Sequence, residues 1–252
     1  MPDFKEISKD EARRIHNGHV VELKHDGTCM EYDGKHVISE RNIVRDDRFP
    51  VIVDELSRFD WKLQGEIAVP FGNVHTVSRS ANWPKARFYA FGITELDGED
   101  WTDASPVDVR KKLDELFGKG SNTFDRLRTV RRFDSFADGW DYVEKTNPKK
   151  YAEGIVMKPD HGGKGFKIKN WKEGKLPIVS HTAGSVKGSF EILSPNGEVS
   201  GCSALSVGFV AEYDKLIADG EDPYAEFEYL LLTDRGVPFQ PKLRRIDTLA
   251  NL

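Results

Sequence analysis

Lys24 stands between two carboxylates, Glu22 and Asp26, just before Gly27. The alternation Val21-Glu22-Leu23-Lys24 reads as a half-buried strand, with Val21 and Leu23 on one face and Glu22, Lys24 and Asp26 on the other. A lysine amine is a nucleophile only when deprotonated, so a lysine in that company stays charged unless something else acts on it. The same period of two turns Gln64 and Glu66 away from Leu63, Ile67 and Val69, and Lys167 and Lys169 away from Phe166 and Ile168. For any one of these strands the plainer reading is an amphipathic sheet with its charged side in water. Three such strands together, with glycines beside them, count against it. Lys164 to Lys175 also holds five lysines and a single glutamate, enough to bind a phosphate-rich ligand locally.

Other chemistries lack their minimal residues. The chain has no GxxxxGK[ST] loop, no GxGxxG after a strand, no GxSxG elbow and no HExxH. His16 and His19 have the spacing of a metal pair, but Asn17-Gly18 between them signals a turn and no third ligand is near, so they receive no role. Cys29 and Cys202 lie too far apart in sequence for a disulfide framework or a CxxC zinc knuckle, and a reducing cytoplasm is the expected setting.

The elements that would position these groups are legible from pattern. Ser105-Pro106 followed by Val109, Leu113, Leu116 and Phe117 and closed by Gly118 predicts a helix, and a second is expected over about 135–144. With the strands above, this part reads as helices mixed with mainly antiparallel sheets. After Lys172–Pro177 the pattern changes to short strands separated by turns at Asn196-Gly197 and Asp234-Arg235-Gly236. A domain boundary is placed near residue 175, giving domains 1–175 and 176–252, the second of a size for a small five-stranded barrel. The 252 residues hold 37 basic and 42 acidic side chains and 38% hydrophobic residues, which suits a folded chain of one or two domains and excludes disorder. The sequence predicts neither a membrane-spanning helix nor a signal peptide.

Lys24-His25-Asp26-Gly27 resembles the KxDG signature of the covalent nucleotidyltransferases, the superfamily of ATP-dependent DNA ligases, RNA ligases and capping guanylyltransferases. Five further segments are similar to that superfamily's motifs, in its order. These are Ser39-Glu40-Arg41-Asn42, Gln64-Gly65-Glu66-Ile67 for [DE]GE, Phe88–Ile93 for FxxFDI, Glu153–Lys158 for EGxVxK, and Lys167-Ile168-Lys169 for KxK. Pro241–Asp247 more loosely resembles the last ligase motif.

The resemblance implies an α+β architecture: an ATP-grasp-like nucleotidyltransferase domain of mainly antiparallel sheets with helices, followed by an OB-fold barrel. It also implies a minimal ATP-dependent DNA ligase, similar to those of viruses and bacteria, that seals nicks through AMP carried on Lys24 and then on the 5′-phosphate. Glu66 and Glu153 would hold magnesium or manganese, hard cations suited to oxygen ligands. Lys167 and Lys169 would lower the proton affinity of Lys24 and neutralise the α-phosphate. Phe91 would stack adenine, Glu22 would read its amino group, and Asp26 and Gly27 would complete the nucleotide site. Arg41 would contact the sugar or the incoming phosphate, and Lys242 and Arg245 would approach the leaving pyrophosphate. Arg126, Arg128, Arg131, Arg132, Lys149 and Lys150 are candidate DNA phosphate contacts by clustering, although an exposed surface explains them equally.

Some positions depart from the pattern: Cys29 stands where many ligases have an arginine, Gly92 replaces the FDI aspartate, and Asp247 stands where the last motif often has a second arginine. With 23 residues before Lys24, no further DNA-binding domain is expected, and the protein should be a monomer in the cytoplasm, or the host cytoplasm for a virus. The expected partner is nicked duplex DNA, bound weakly and with salt dependence, and no membrane. An RNA ligase, a GTP-using capping enzyme and a non-catalytic DNA-end-binding protein are the alternatives.

Overall fold

The computed structural model describes residues 4–15, 18–117, 124–146, 152–182, 189–204 and 208–251. The chain divides into two compact units, Met1–Lys169 and Asn170–Leu252. Gly118, His16, Lys149 and Lys150 lie outside the described residues.

The first unit begins with β1 (Lys5–Glu6), α1 (Lys9–Arg14), β2 (His19–His25), β3 (Thr28–Tyr32), β4 (Val37–Ser39), α2 (Pro50–Leu56), β5 (Trp61–Ala68) and α3 (Val74–Ser78). It continues with β6 (Arg87–Leu96), β7 (Glu99–Asp100), α4 (Pro106–Phe117), β8 (Leu127–Thr129), β9 (Arg132–Phe133), α5 (Phe136–Thr146), β10 (Ala152–Pro159) and β11 (Phe166–Lys169). One sheet has the order β1-β11-β10-β2-β9 and the other β4-β3-β5-β6-β7, with β8 beside β6. Pairing is antiparallel except for β1 with β11 and β6 with β8.

Both expected helices form. Ser105 Oγ accepts the Asp108 N–H at 3.1 Å with Pro106 in the first turn, and Ser135 caps α5 in the same way, each cap contributing about 1 kcal/mol. α5 lays Phe136, Trp140 and Val143 on Val21, Leu23, Ile155 and Ile168 of the first sheet. Leu113 and Phe117 of α4 join Ile52 and Leu56 of α2 over Leu63, Ile67 and Phe88 of the second. Each sheet thus buries one face under helices, and the charged residues of β2, β5 and β11 lie on the other.

The second unit comprises β12 (Lys172–Thr182), β13 (Ser189–Leu193), β14 (Val199–Ala204), α6 (Gly208–Ala218), β15 (Tyr224–Tyr229), β16 (Leu231–Leu232), β17 (Pro238–Phe239) and β18 (Lys242–Asp247). Five strands close a barrel in the order β12-β13-β14-β18-β15, with β14 parallel to β18 and the remaining pairs antiparallel. Phe190, Ile192, Cys202, Phe227 and Leu243 fill it, and Phe209, Val210, Tyr213 and Leu216 of α6 pack against it. The polar stretch read from sequence as a boundary is the start of β12, paired with β15 through Pro177 opposite Tyr224. α6 was not anticipated, because its acids disguise its apolar stripe. No helix among the described residues is long and apolar enough to cross a membrane.

Candidate active site

β10 lies between β2 and β11, so that Gly154 faces Lys24 on one side and Lys169 on the other. The register with β2 shifts between Ala152 and Gly154, making Glu153 an extra residue in the strand. Ala152 and Ile155 both keep their places in the core under α5, and the bulge re-aims Glu153 to the charged face. There its carboxylate takes the Lys24 ammonium on one oxygen and Lys169 Nζ at 2.8 Å on the other. Only glycine fits beside it, since a Cβ on Gly154 would stand 1.9 Å from the Ile168 carbonyl oxygen.

From the second sheet comes Glu66, whose cross-strand neighbours are Cys29 and Tyr89. The Gly27 N–H donates to Glu66 Oε1 at 3.1 Å, and Gly27 lies so close to β5 that a Cβ would be 2.3 Å from the Ile67 carbonyl oxygen. Burial, reinforced by the Glu153 charge and only partly offset by Lys24, pushes Glu66 up to about 8. Burial likewise raises Asp26 to about 6. Glu153 is held below the usual range: burial pushes it up, and Lys24 and Lys169 together outweigh that.

Lys24 departs from expectation. Burial disfavours its charge, but Glu153 and Glu66 outweigh burial and raise it above the ordinary lysine value. Lys169 shares Glu153 with Lys24, and any lowering of the Lys24 proton affinity by this second cation is outweighed by the carboxylates. Lys167 lines the cavity and has no ion-pair partner among the described residues.

Two residues before Lys24, Glu22 is 2% exposed. Arg110 Nη1 approaches its Oε1 at 3.3 Å and Lys158 Nζ its Oε2 at 2.7 Å. Lys158 also donates to the Phe91 carbonyl at 2.7 Å and stands 5.3 Å from the Phe91 ring centroid. A cleft of about 320 Å³ opens between the two sheets of this unit, lined by Glu22, Lys24, Glu66, Phe91, Lys158 and Lys167 among others.

Of the expected residues, Glu22, Lys24, Glu66, Phe91 and Lys167 line one cleft, Glu153 and Lys169 join it through the ion pairs with Lys24, Gly27 through its N–H to Glu66, and Asp26 through its charge beside Lys24. Arg41 is not among them: it is exposed in the turn after β4 and does not line the cavity. Lys242 and Arg245 belong to the second unit, the former 4.0 Å from the Trp171 ring centroid and the latter paired with Asp247 at 2.6 Å. Of the basic cluster, Arg128 donates to the carbonyls of Phe124 and Leu127, both at 2.6 Å, and Arg131 covers the Tyr142 ring at 4.1 Å.

Sequence reasoning passed over three residues. Lys158 is visible in the sequence only as the end of a motif. Arg110 carried a usable signal: it shares a face of α4 with Leu113 and Phe117, an unusual place for a charge. His25 is stacked on Tyr89 with centroids 4.1 Å apart, and burial, with the Lys24 charge, drives its ring down to about 4. Cys29 does not replace the missing arginine charge, since burial, Glu66 and Glu40 push its thiol up to about 12.

No group of three or more potential metal-ligating side chains occurs among the described residues. A magnesium ion carried mainly by phosphate needs only one or two carboxylates. Glu66 and Glu153 fit that demand, because a cation would offset the burial and the Glu153 charge that together disfavour the ionised form of Glu66.

No protein-family model and no curated protein matches the sequence. Solved structures do. A Lig E DNA ligase, described for DNA binding with a minimal scaffold, is 17% identical, with 98% of this chain and 100% of that one covered at a TM-score of 0.70. The structure described as Pmar-Lig_Pre is 15% identical at a TM-score of 0.72, and the chain spans 66% of its length while 97% of the chain is covered. A mycobacterial DNA ligase D complexed with ATP is 17% identical, covering 98% of this chain and 95% of that one at a TM-score of 0.52. The protein, taken over nearly its whole length, has the fold of the ATP-dependent DNA ligases.

Proposed function

We propose that the protein is an ATP-dependent DNA ligase that seals nicks in duplex DNA through a covalent lysyl-AMP. The observation that carries this reading is the Lys24 amine, set at the cleft beside Glu153, Lys169 and Glu66 in a chain with a ligase fold.

ATP would enter with its base against Phe91 and its amino group toward Glu22. Glu153 and Glu66 favour the protonated form of Lys24, so the amine must give its proton to solvent before it reacts, and a cation held by the two glutamates would weaken their grip on that proton. The neutral amine then attacks the α-phosphorus, a nitrogen–phosphorus bond forms, and the bond to the pyrophosphate oxygen breaks. Lys167 and Lys169 offset charge on the phosphate. Magnesium or manganese, held by Glu66 and Glu153, would supply further charge neutralisation. AMP next passes to the 5′-phosphate at the nick, and the 3′-hydroxyl displaces AMP to close the strand. The five-stranded closed barrel of the second unit, with a helix between its third and fourth strands, supports reading it as an OB-fold, here assigned to DNA binding.

The test is a denaturing gel of 5′-labelled nicked duplexes, all-DNA and with RNA on either side of the nick, given ATP and magnesium and either wild type or Lys24→Ala. Sealing of the DNA nick by wild type alone is expected. Closure of RNA-containing nicks only, or AMP uptake without sealing, would sink the DNA ligase reading and keep the superfamily.

A further inference from the structure

Glu22 and Arg110 are among the few charged residues sealed from water, at 2% and 3% exposure, and they are 88 positions apart in sequence. The Arg110 guanidinium is held at every edge. Its Nε donates to Asp114 Oδ2 at 3.0 Å and its Nη2 grips the other oxygen of the same carboxylate, one helical turn on. Its Nη1 donates to the Val130 carbonyl at 2.7 Å and reaches Glu22 at 3.3 Å. Val130 and Glu22 line the cleft, and Arg110 does not.

A buried ion pair is seldom worth more to stability than apolar side chains of the same volume, so stability alone gives weak reason for a guanidinium on the inner face of α4. Its geometric effect is definite. With Arg110 on one oxygen and Lys158 on the other, the Glu22 carboxylate cannot rotate, and it presents acceptors and no donor to the cavity. A fixed acceptor at the wall of a nucleotide cleft selects a base that offers an N–H.

We propose that Arg110 is a positioning residue for base selection: anchored by Asp114, it fixes Glu22 so that the cleft takes a purine nucleotide bearing a 6-amino group and rejects one without it. This rests on the reading of the cleft as a nucleotide site, and it adds a determinant that lies outside the cavity. Asp114, 42% exposed at its side chain, is the outer end of the relay.

The test compares equilibrium binding of ATP and of purine riboside 5′-triphosphate, which lacks only the amino group, to the full-length wild type and to Arg110→Gln, Arg110→Lys and Asp114→Ala. Thermal melting identifies the folded variants. Wild type should prefer ATP by about ten-fold or more, the return expected of a hydrogen bond to a charged group. Arg110→Gln should lose most of that preference while binding purine riboside 5′-triphosphate nearly as before, Arg110→Lys should recover part, and Asp114→Ala should show a smaller loss in the same direction. Should Arg110→Gln fail to fold, Asp114→Ala decides, because its carboxylate is accessible to water. Folded variants with an unchanged ATP preference, or a wild type that binds both nucleotides alike, would overturn the proposal. If the amino preference depends on Arg110 but Lys24 takes up no AMP, the inference stands and the ligase function falls.

Discussion

Glu22 and Lys24 share one strand face, yet their surroundings are balanced in opposite ways. Around Glu22 a carboxylate meets two cations, Arg110 and Lys158, and Asp114 balances Arg110 from outside. Around Lys24 the carboxylates of Asp26, Glu66 and Glu153 crowd the Lys24 and Lys169 ammonium groups, and burial raises Asp26 to about 6 and Glu66 to about 8. The first region is complete in itself and pre-set, as a group that reads a ligand must be. The second is incomplete, and a cation with its phosphates would complete it.

The severest way to break this contrast acts on the bulge that delivers Glu153. In Gly154→Ala the new methyl would meet the Ile168 carbonyl oxygen at 1.9 Å, and backbone cannot yield as a flexible side chain does. Separation of β10 from β11 should cost about 3 kcal/mol or more and abolish AMP uptake by Lys24, since Glu153 and Lys169 lose their register. Melting temperature and an AMP-labelling gel report both effects. A folded, labelled variant would show that the close approach matters less than the geometry requires.

The glycine was legible in the sequence, and the reason for it was not. Alternation placed Glu22, Lys24, Glu66, Lys167 and Lys169 on charged faces, because in an antiparallel strand the period of two survives into the fold. It could say nothing about Glu153, whose direction depends on one extra residue, nor about the proton on Lys24, which depends on carboxylates from two other strands and the turn after β2. Arg110 lay hidden for a similar reason, since a contact across 88 positions leaves only a charge misplaced on an apolar helix face. In the barrel, turn signals revealed the strands, whereas the lysine-rich segment ending in proline, read as a boundary, is the start of β12.

Isosteric neutralisation of the two glutamates should move stability in opposite directions. Glu22→Gln leaves Lys158 without its counter-charge and Arg110 with Asp114 alone, and a loss of about 3 kcal/mol is expected. Glu66→Gln should instead stabilise the ligand-free protein. Glu66 rises from an ordinary 4.5 to about 8, so its ionised form is penalised in the fold: the cost is absent below 4.5, grows as pH rises, and is complete above 8. The variant should therefore melt with wild type at pH 4 and gain on the order of 2 kcal/mol at pH 8, because the substituted amide still offers an oxygen to the Gly27 N–H. Parallel pH curves would refute the penalty that burial and the neighbouring carboxylates place on ionised Glu66. The same variant should lose AMP uptake, so that stability and activity part company.

A smaller effect sharpens which cations serve the incomplete region. Lys167 lines the cleft with an ammonium that no carboxylate holds among the described residues, whereas Arg41 is exposed and outside the lining. Lys167→Ala should weaken ATP binding about ten-fold, the return on one charge-assisted phosphate contact in a site partly shielded from water. Arg41→Ala should leave ATP affinity within about two-fold, the usual range for a surface change remote from the ligand. Isothermal titration with ATP at fixed ionic strength separates the two. Equal losses would mean that the turn after β4 folds inward when nucleotide binds, and the cleft would then draw its phosphate cations from a mobile rim as well as from its walls.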